Sequence, residues 1–144
     1  MAPERIDSGE AGAGNEGELF FPGRAPLDAY GNGGFRFAET SHRGSLLLLP
    51  SGIYAWPPVH FDDINADDFA RVFAEAAEIE FLLLGCGDEL RLPSDPLRTA
   101  FREHNVGLDP MDTGAAARTY NVVLGEKRAV AAALIAVDDI VRKR

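Results

Sequence analysis

The stretch Glu80-Phe81-Leu82-Leu83-Leu84-Gly85-Cys86-Gly87 is an unbroken apolar run halted by two glycines around a cysteine. So short and continuous a run, without polar alternation, suits a central strand covered on both faces, as strands inside α/β sheets are. Its neighbours have helical period instead. Upstream, Asn65 is placed to cap, Asp68 suits a first turn, and Phe69, Val72, Phe73 and Ala76 recur with the spacing of one helix face. Downstream, Asp95 is a cap, Pro96 takes the first helical position, and Leu97, Ala100, Phe101 and His104 form the stripe expected to be buried, with Asn105 and Gly107 ending the helix.

Val106-Gly107-Leu108 then reads as a short second parallel strand. Asp112 or Thr113 caps a third helix through about Leu124, and Gly125 is placed to stop it in a left-handed conformation. The segment from Ala129 to Val137 closes the series as a small-residue strand, although its five alanines leave a helix open. Strand, helix, strand, helix, strand in succession calls for right-handed crossovers and parallel βαβ units.

The N-terminal half has a different grain. Leu19-Phe20-Phe21-Pro22 is where order is expected to begin, and Tyr30-Gly31-Asn32-Gly33-Gly34 is a glycine-rich turn before the alternating Phe35-Arg36-Phe37, the pattern of a hairpin. Leu46-Leu47-Leu48-Leu49, a turn at Pro50-Ser51-Gly52, and Ile53-Tyr54-Ala55-Trp56 make a second antiparallel pair. The expected class is therefore α/β, with parallel βαβ units in the C-terminal half and antiparallel strands in the N-terminal half, all in a single domain over 19–144. Residues 1–18 carry five acidic groups, one Arg and no aromatic residue, and are expected to form a flexible tail.

Composition bounds the function. The 144 residues suffice for one core, and a formal charge of -9 opposes binding to the phosphates of nucleic acid. Arg142-Lys143-Arg144, the one dense basic cluster, follows two aspartates and reads as a solvated end. The single cysteine and three scattered histidines offer neither a disulfide framework nor zinc-ligand spacing, so no metal or cofactor is expected. The longest apolar run, nine residues, is too short to span a bilayer, and residues 1–18 lack the features of a secretory or organelle signal. A cytoplasmic location follows as the expectation.

Gly85-Cys86-Gly87 falls at the C-terminal end of a central strand, where open α/β sheets present ligand-binding loops. Flanking glycines leave the sulfur accessible, but no local histidine makes a thiolate; the other reading is a tight turn with a small, partly buried thiol. Asp112 and Thr113 open the third helix, and Arg118 with Asn121 share one of its faces. If the strands ending at Leu84 and near Leu108 are parallel neighbours, Cys86 approaches Asp112, and the helix N-terminus with Arg118 forms a cradle for a carboxylate or phosphate. Equally, Asp112 caps its own helix and Arg118 pairs with a carboxylate to brace the loops. Trp56, beside Pro57-Pro58, is either an exposed anchor for a protein partner or a lid on the core. The glycines of residues 31–34 precede a strand rather than join strand to helix, which excludes a dinucleotide fingerprint.

Tyr30-Gly31 to Phe35, Gly44-Ser45-Leu46-Leu47 to Pro50, Trp56, Leu82 to Gly87 and, most specifically, Met111-Asp112-Thr113-Gly114-Ala115-Ala116-Ala117-Arg118-Thr119-Tyr120-Asn121 together resemble a domain-of-unknown-function family. That family also contains the mitochondrial respiratory complex I assembly factor 3, and the resemblance is to its bacterial branch. It implies a three-layer fold with a mixed central sheet, a smaller antiparallel sheet and packed helices. It also implies an assembly role for the mitochondrial branch. Members of this family often carry Thr where this chain has Cys86, so the thiol is not their shared chemistry. Two functions are thus expected to compete. One is a non-catalytic protein-binding or assembly module assisting a respiratory NADH dehydrogenase complex. The other is a small-molecule or anion-binding enzyme built on Gly85, Cys86, Gly87, Asp112, Thr113, Arg118 and Asn121.

Overall fold

A computed structural model describes residues 19–138; the acidic segment 1–18 and the basic end Arg142-Lys143-Arg144 lie outside the described residues. Among the described residues nine strands form two sheets. In chain order they are β1 (Leu19–Pro22), β2 (Leu27–Gly31), β3 (Gly34–Phe37), β4 (Thr40–Arg43), β5 (Ser45–Leu49), β6 (Gly52–Trp56), β7 (Phe81–Gly85), β8 (Gly107–Met111) and β9 (Val130–Leu134). The main sheet has the order β1-β6-β5-β9-β7-β8, and β2-β3-β4 make a separate antiparallel sheet. Within the main sheet β7 is parallel to both β8 and β9, whereas β5 is antiparallel to β9 and to β6.

The helices α1 (Ala70–Ala74), α2 (Asp95–Glu103) and α3 (Thr113–Gly125) divide between the two faces of this sheet. The path steps from β7 outward to β8 through α2, then back across β7 to β9 through α3. A right-handed crossover that reverses direction must also change face. Accordingly Phe101 of α2 packs with Leu82, Leu84 and Trp56 on one side, and Ala116 and Tyr120 of α3 pack with Leu83, Ala132 and Leu134 on the other. The small sheet joins α3 on that second side through Leu27, Phe35 and Phe37, which completes three layers. The Leu46–Leu49 run serves both cores, with Leu46 and Leu48 in one and Leu47 and Leu49 in the other. Uninterrupted leucines are what a strand buried on both faces requires.

Several elements differ from the sequence expectation. The segment after Asn65 is not one helix: a 3-10 turn at Ala66–Phe69, α1, and a second 3-10 turn at Ala76–Glu78 follow one another. Its start is as expected, because the Asn65 side chain accepts from Asp67 N–H while Asp68 reaches back to the Asn65 N–H. Ser94, not Asp95, caps α2, and His104 at its end is exposed rather than buried. Gly125 is helical, and the left-handed residue after α3 is Lys127 at φ 61°. Strand β4 has no counterpart in the sequence reading. Ala129 to Val137 resolves as a strand, because β9 lies between β5 and β7 with every residue buried.

Candidate functional site

Since β6, β7, β8 and β9 all point the same way, their C-terminal ends open onto one edge of the sheet. The loops 57–65 and 86–94, the start of α3, and residues 135–138 all gather there. This is the edge at which open α/β sheets bind ligands.

Here the edge is occupied by the chain's own hydrogen bonds. The Cys86 N–H donates to the Met111 carbonyl at 2.8 Å, and the Thr113 N–H donates to the Gly87 carbonyl at 2.9 Å. The Thr113 hydroxyl donates to the Ile135 carbonyl at 2.7 Å and accepts from the Gly87 N–H at 3.0 Å. The Ile135 N–H in turn donates to the Gly85 carbonyl at 3.0 Å. Thr113 is fully buried, so one hydroxyl ties together the chain segments leaving β7, β8 and β9. Gly85 allows this closeness, because a Cβ there would stand 2.9 Å from both the Thr113 hydroxyl and the Leu134 side chain. Gly87 adopts φ +107°, a value that side chains rarely permit.

The structure thus brings Gly85, Cys86, Gly87, Asp112 and Thr113 into one cluster, but it corrects the accessible sulfur. Cys86 is 5% exposed, and its S–H faces the carbonyls of Leu84 and Arg91 at 3.6 and 3.5 Å. Burial pushes its pKa up, partly opposed by hydrogen bonds to the backbone of Arg91 and Met111, so the thiol is held protonated. Asp112 caps α3, its carboxylate accepting from the Ala115 N–H at 2.8 Å. With the amides of Thr113 and Ala115 engaged and a carboxylate already at the helix start, these groups offer an incoming anion little.

Arg118 and Asn121 turn away from this cluster toward the small sheet. The Arg118 guanidinium donates to the Tyr30 hydroxyl at 3.4 Å and, among the described residues, forms no ion pair. The Asn121 amide accepts from the Leu27 N–H and donates to the Leu27 carbonyl, both at 2.8 Å. Gly114 lets Tyr30 lie against α3, since a Cβ there would come within 2.5 Å of its hydroxyl. The α3 motif is therefore a two-sided joint, with Thr113 gripping the strand ends and Asn121 gripping the small sheet. Trp56 is not an exposed anchor. It is buried against Phe69, and its Nε1–H donates to the Asp68 carbonyl at 2.8 Å.

Sequence reasoning did not find Ile135, Ser45 or the loop pairing at this edge. The Ser45 hydroxyl, buried, accepts from the Ala136 N–H at 3.0 Å, and Arg91 pairs with Asp62 at 2.6 Å while lying over the Phe61 ring. A lone serine beside a leucine run carries no local signal of such a role.

The fold is a three-layer mixed α/β domain in which the helix after β8 locks the strand-end edge to the segment after β9. The chain belongs to the family described as a protein of unknown function (DUF498/DUF598), which it matches over residues 27–135. It is 37% identical over 115 residues to an uncharacterized protein of Rhodobacter capsulatus, covering 80% of this chain and 87% of that one. It is also 28% identical over 109 residues to human NADH dehydrogenase [ubiquinone] 1 alpha subcomplex assembly factor 3. That match covers 76% of this chain and only 59% of the human protein. Among solved structures, one described as an outer membrane protein from Bartonella henselae superposes with a TM-score of 0.80 at 52% identity, covering 83% of this chain and all of that one. Among the described residues no helix is long and apolar enough to cross a membrane.

Proposed function

We propose that this chain is a non-catalytic protein-binding module that assists assembly of a respiratory NADH dehydrogenase complex, docking onto it from the cytoplasm. The observation that carries this reading is the closed strand-end edge. An α/β enzyme keeps that edge open to its ligand, whereas here Thr113, Gly87, Met111 and Ile135 satisfy one another and Cys86 is buried as a protonated thiol. The similarity to the human assembly factor supplies the class of partner. A site with buried glycines and a hydroxyl knot rigidifies the domain and leaves recognition to its outer surface.

The test is removal of the gene from the source bacterium, followed by native gels and activity assays on membranes. Less fully assembled NADH dehydrogenase, restored by a plasmid copy, is the expected result, with succinate dehydrogenase activity unchanged. Equal amounts of assembled complex with and without the gene would overturn the reading.

A further inference from the structure

Val59, Leu90 and Leu92 are 66%, 54% and 72% exposed, and they are three of the five large apolar side chains most exposed among the described residues. All three lie in the two loops 57–65 and 86–94 at the strand-end edge. These loops are bound to each other and to the core. Arg91 pairs with Asp62 and covers the Phe61 ring, the Arg91 carbonyl faces the Cys86 thiol, and Pro93 is buried just before the Ser94 cap of α2. A loop fixed from so many sides, yet showing leucines to water, loses little freedom when it binds. Its border is acidic. Asp63, Asp88 and Glu89 are exposed and form no ion pair among the described residues, while Arg91, the one Lys or Arg within these two loops, is already matched by Asp62.

We infer that these two loops form the docking surface of the module, for a protein partner whose contact face is apolar and bordered by lysine and arginine. The inference rests on the protein-binding reading and names where that binding occurs. Apolar contact supplies the burial, and the unpaired carboxylates select a basic rim and repel a second copy of this acidic chain.

The test places benzoylphenylalanine at position 92 of the full chain in living cells, with position 122 as the control, since Val122, on α3, is also an exposed apolar side chain, at 60% against 72% for Leu92. Irradiation is expected to join position 92 to one protein other than this chain. The pair Asp88→Lys and Glu89→Lys is expected to lower that yield about tenfold while the melting temperature holds. The docking surface is overturned by no crosslink at position 92, by a crosslink only to a second copy, by an equal crosslink at position 122, or by indifference to the charge reversal. If the crosslinked protein is no NADH dehydrogenase subunit or assembly partner, the surface stands and the assembly reading falls. If deletion impairs the complex but position 92 crosslinks nothing, the reverse holds.

Discussion

The side chain of Asn121 takes both hydrogen-bonding groups of the Leu27 backbone, accepting from its N–H and donating to its carbonyl at 2.8 Å each. An amide is the only uncharged side-chain group that offers donor and acceptor side by side in the manner of a neighbouring strand. Leu27 lies at the outer strand of the small sheet, so Asn121 completes that sheet's edge from a helix.

Asn121→Ala leaves both Leu27 groups unpaired beside a buried side chain, and the expected loss is about 2 kcal/mol of unfolding free energy in urea. Asn121→Asp keeps the acceptor and sets a carboxylate oxygen against the Leu27 carbonyl, so it is expected to lose at least as much. Hydrogen exchange should quicken first in β2 and β3. An unchanged urea midpoint for both variants would mean that the small sheet is held by its apolar side chains alone.

Thr113→Val keeps the shape and removes the hydroxyl that joins Ile135 to Gly87. The buried Ile135 carbonyl and the half-buried Gly87 N–H then lose their partner, for an expected cost of about 2–3 kcal/mol. Thr113→Ser keeps the hydroxyl and loses a methyl, which costs about 1 kcal/mol. A serine variant more stable than the valine one shows that the hydrogen bonds outweigh the methyl's packing at this position; the opposite order shows that packing prevails.

The turn from β3 to β4 places Ala38 at φ 48° and Glu39 at φ 63°, both left-handed without glycine. Each such residue costs roughly 1 kcal/mol against a glycine or asparagine there. Ala38→Asn with Glu39→Gly supplies residues suited to this two-residue turn and is expected to raise the melting temperature by a few degrees. A fall would show that the native side chains make contacts outweighing the strain.

His42 is buried against Phe20, its Nε2–H donates to the Ser45 carbonyl at 3.2 Å, and its Nδ1 has no partner. Burial lowers its pKa from 6.5 to about 4, against the raising effect of the Ser45 carbonyl. Between these values the unfolded chain takes up a proton that the folded one refuses. Stability from this group is therefore complete above pH 6.5 and declines as pH falls toward 4, by about 3 kcal/mol in full. His42→Phe is expected to flatten the urea midpoint across that window. An identical slope in the variant would assign the acid sensitivity to carboxylates.

Legibility in the sequence followed chemistry that repeats locally. The Asn32-Gly33 turn has both residues left-handed, as that dipeptide favours, and the hairpin was readable from it. The next hairpin was not, because Ala38-Glu39 carries no such mark and Thr40-Ser41-His42-Arg43 is polar throughout, with only His42 buried. Leu82 to Gly85 declared a covered strand, whereas the alanines of β9 did not. Their strand state depends on neighbours at β5 and β7 that are distant in sequence. The meeting of Cys86 with Asp112 and Thr113 followed from parallel topology. The orientation of Arg118 did not, since a helical spacing fixes which residues share a face but not what that face meets.

Gly107 donates to Glu80 and Met111 accepts from Cys86, so the odd residues of β8 turn to β7 and the even ones, Leu108 and Pro110, face outward. Proline has no N–H, and half of the outward donors on this rim are therefore missing. A foreign strand laid along β8 finds a single outward donor, the Leu108 N–H, and so only a broken ladder to continue. The sheet offers a poor template on this flank: it discourages fibril-like stacking during synthesis, and a polypeptide recognised on this side is read more through side chains than through backbone pairing.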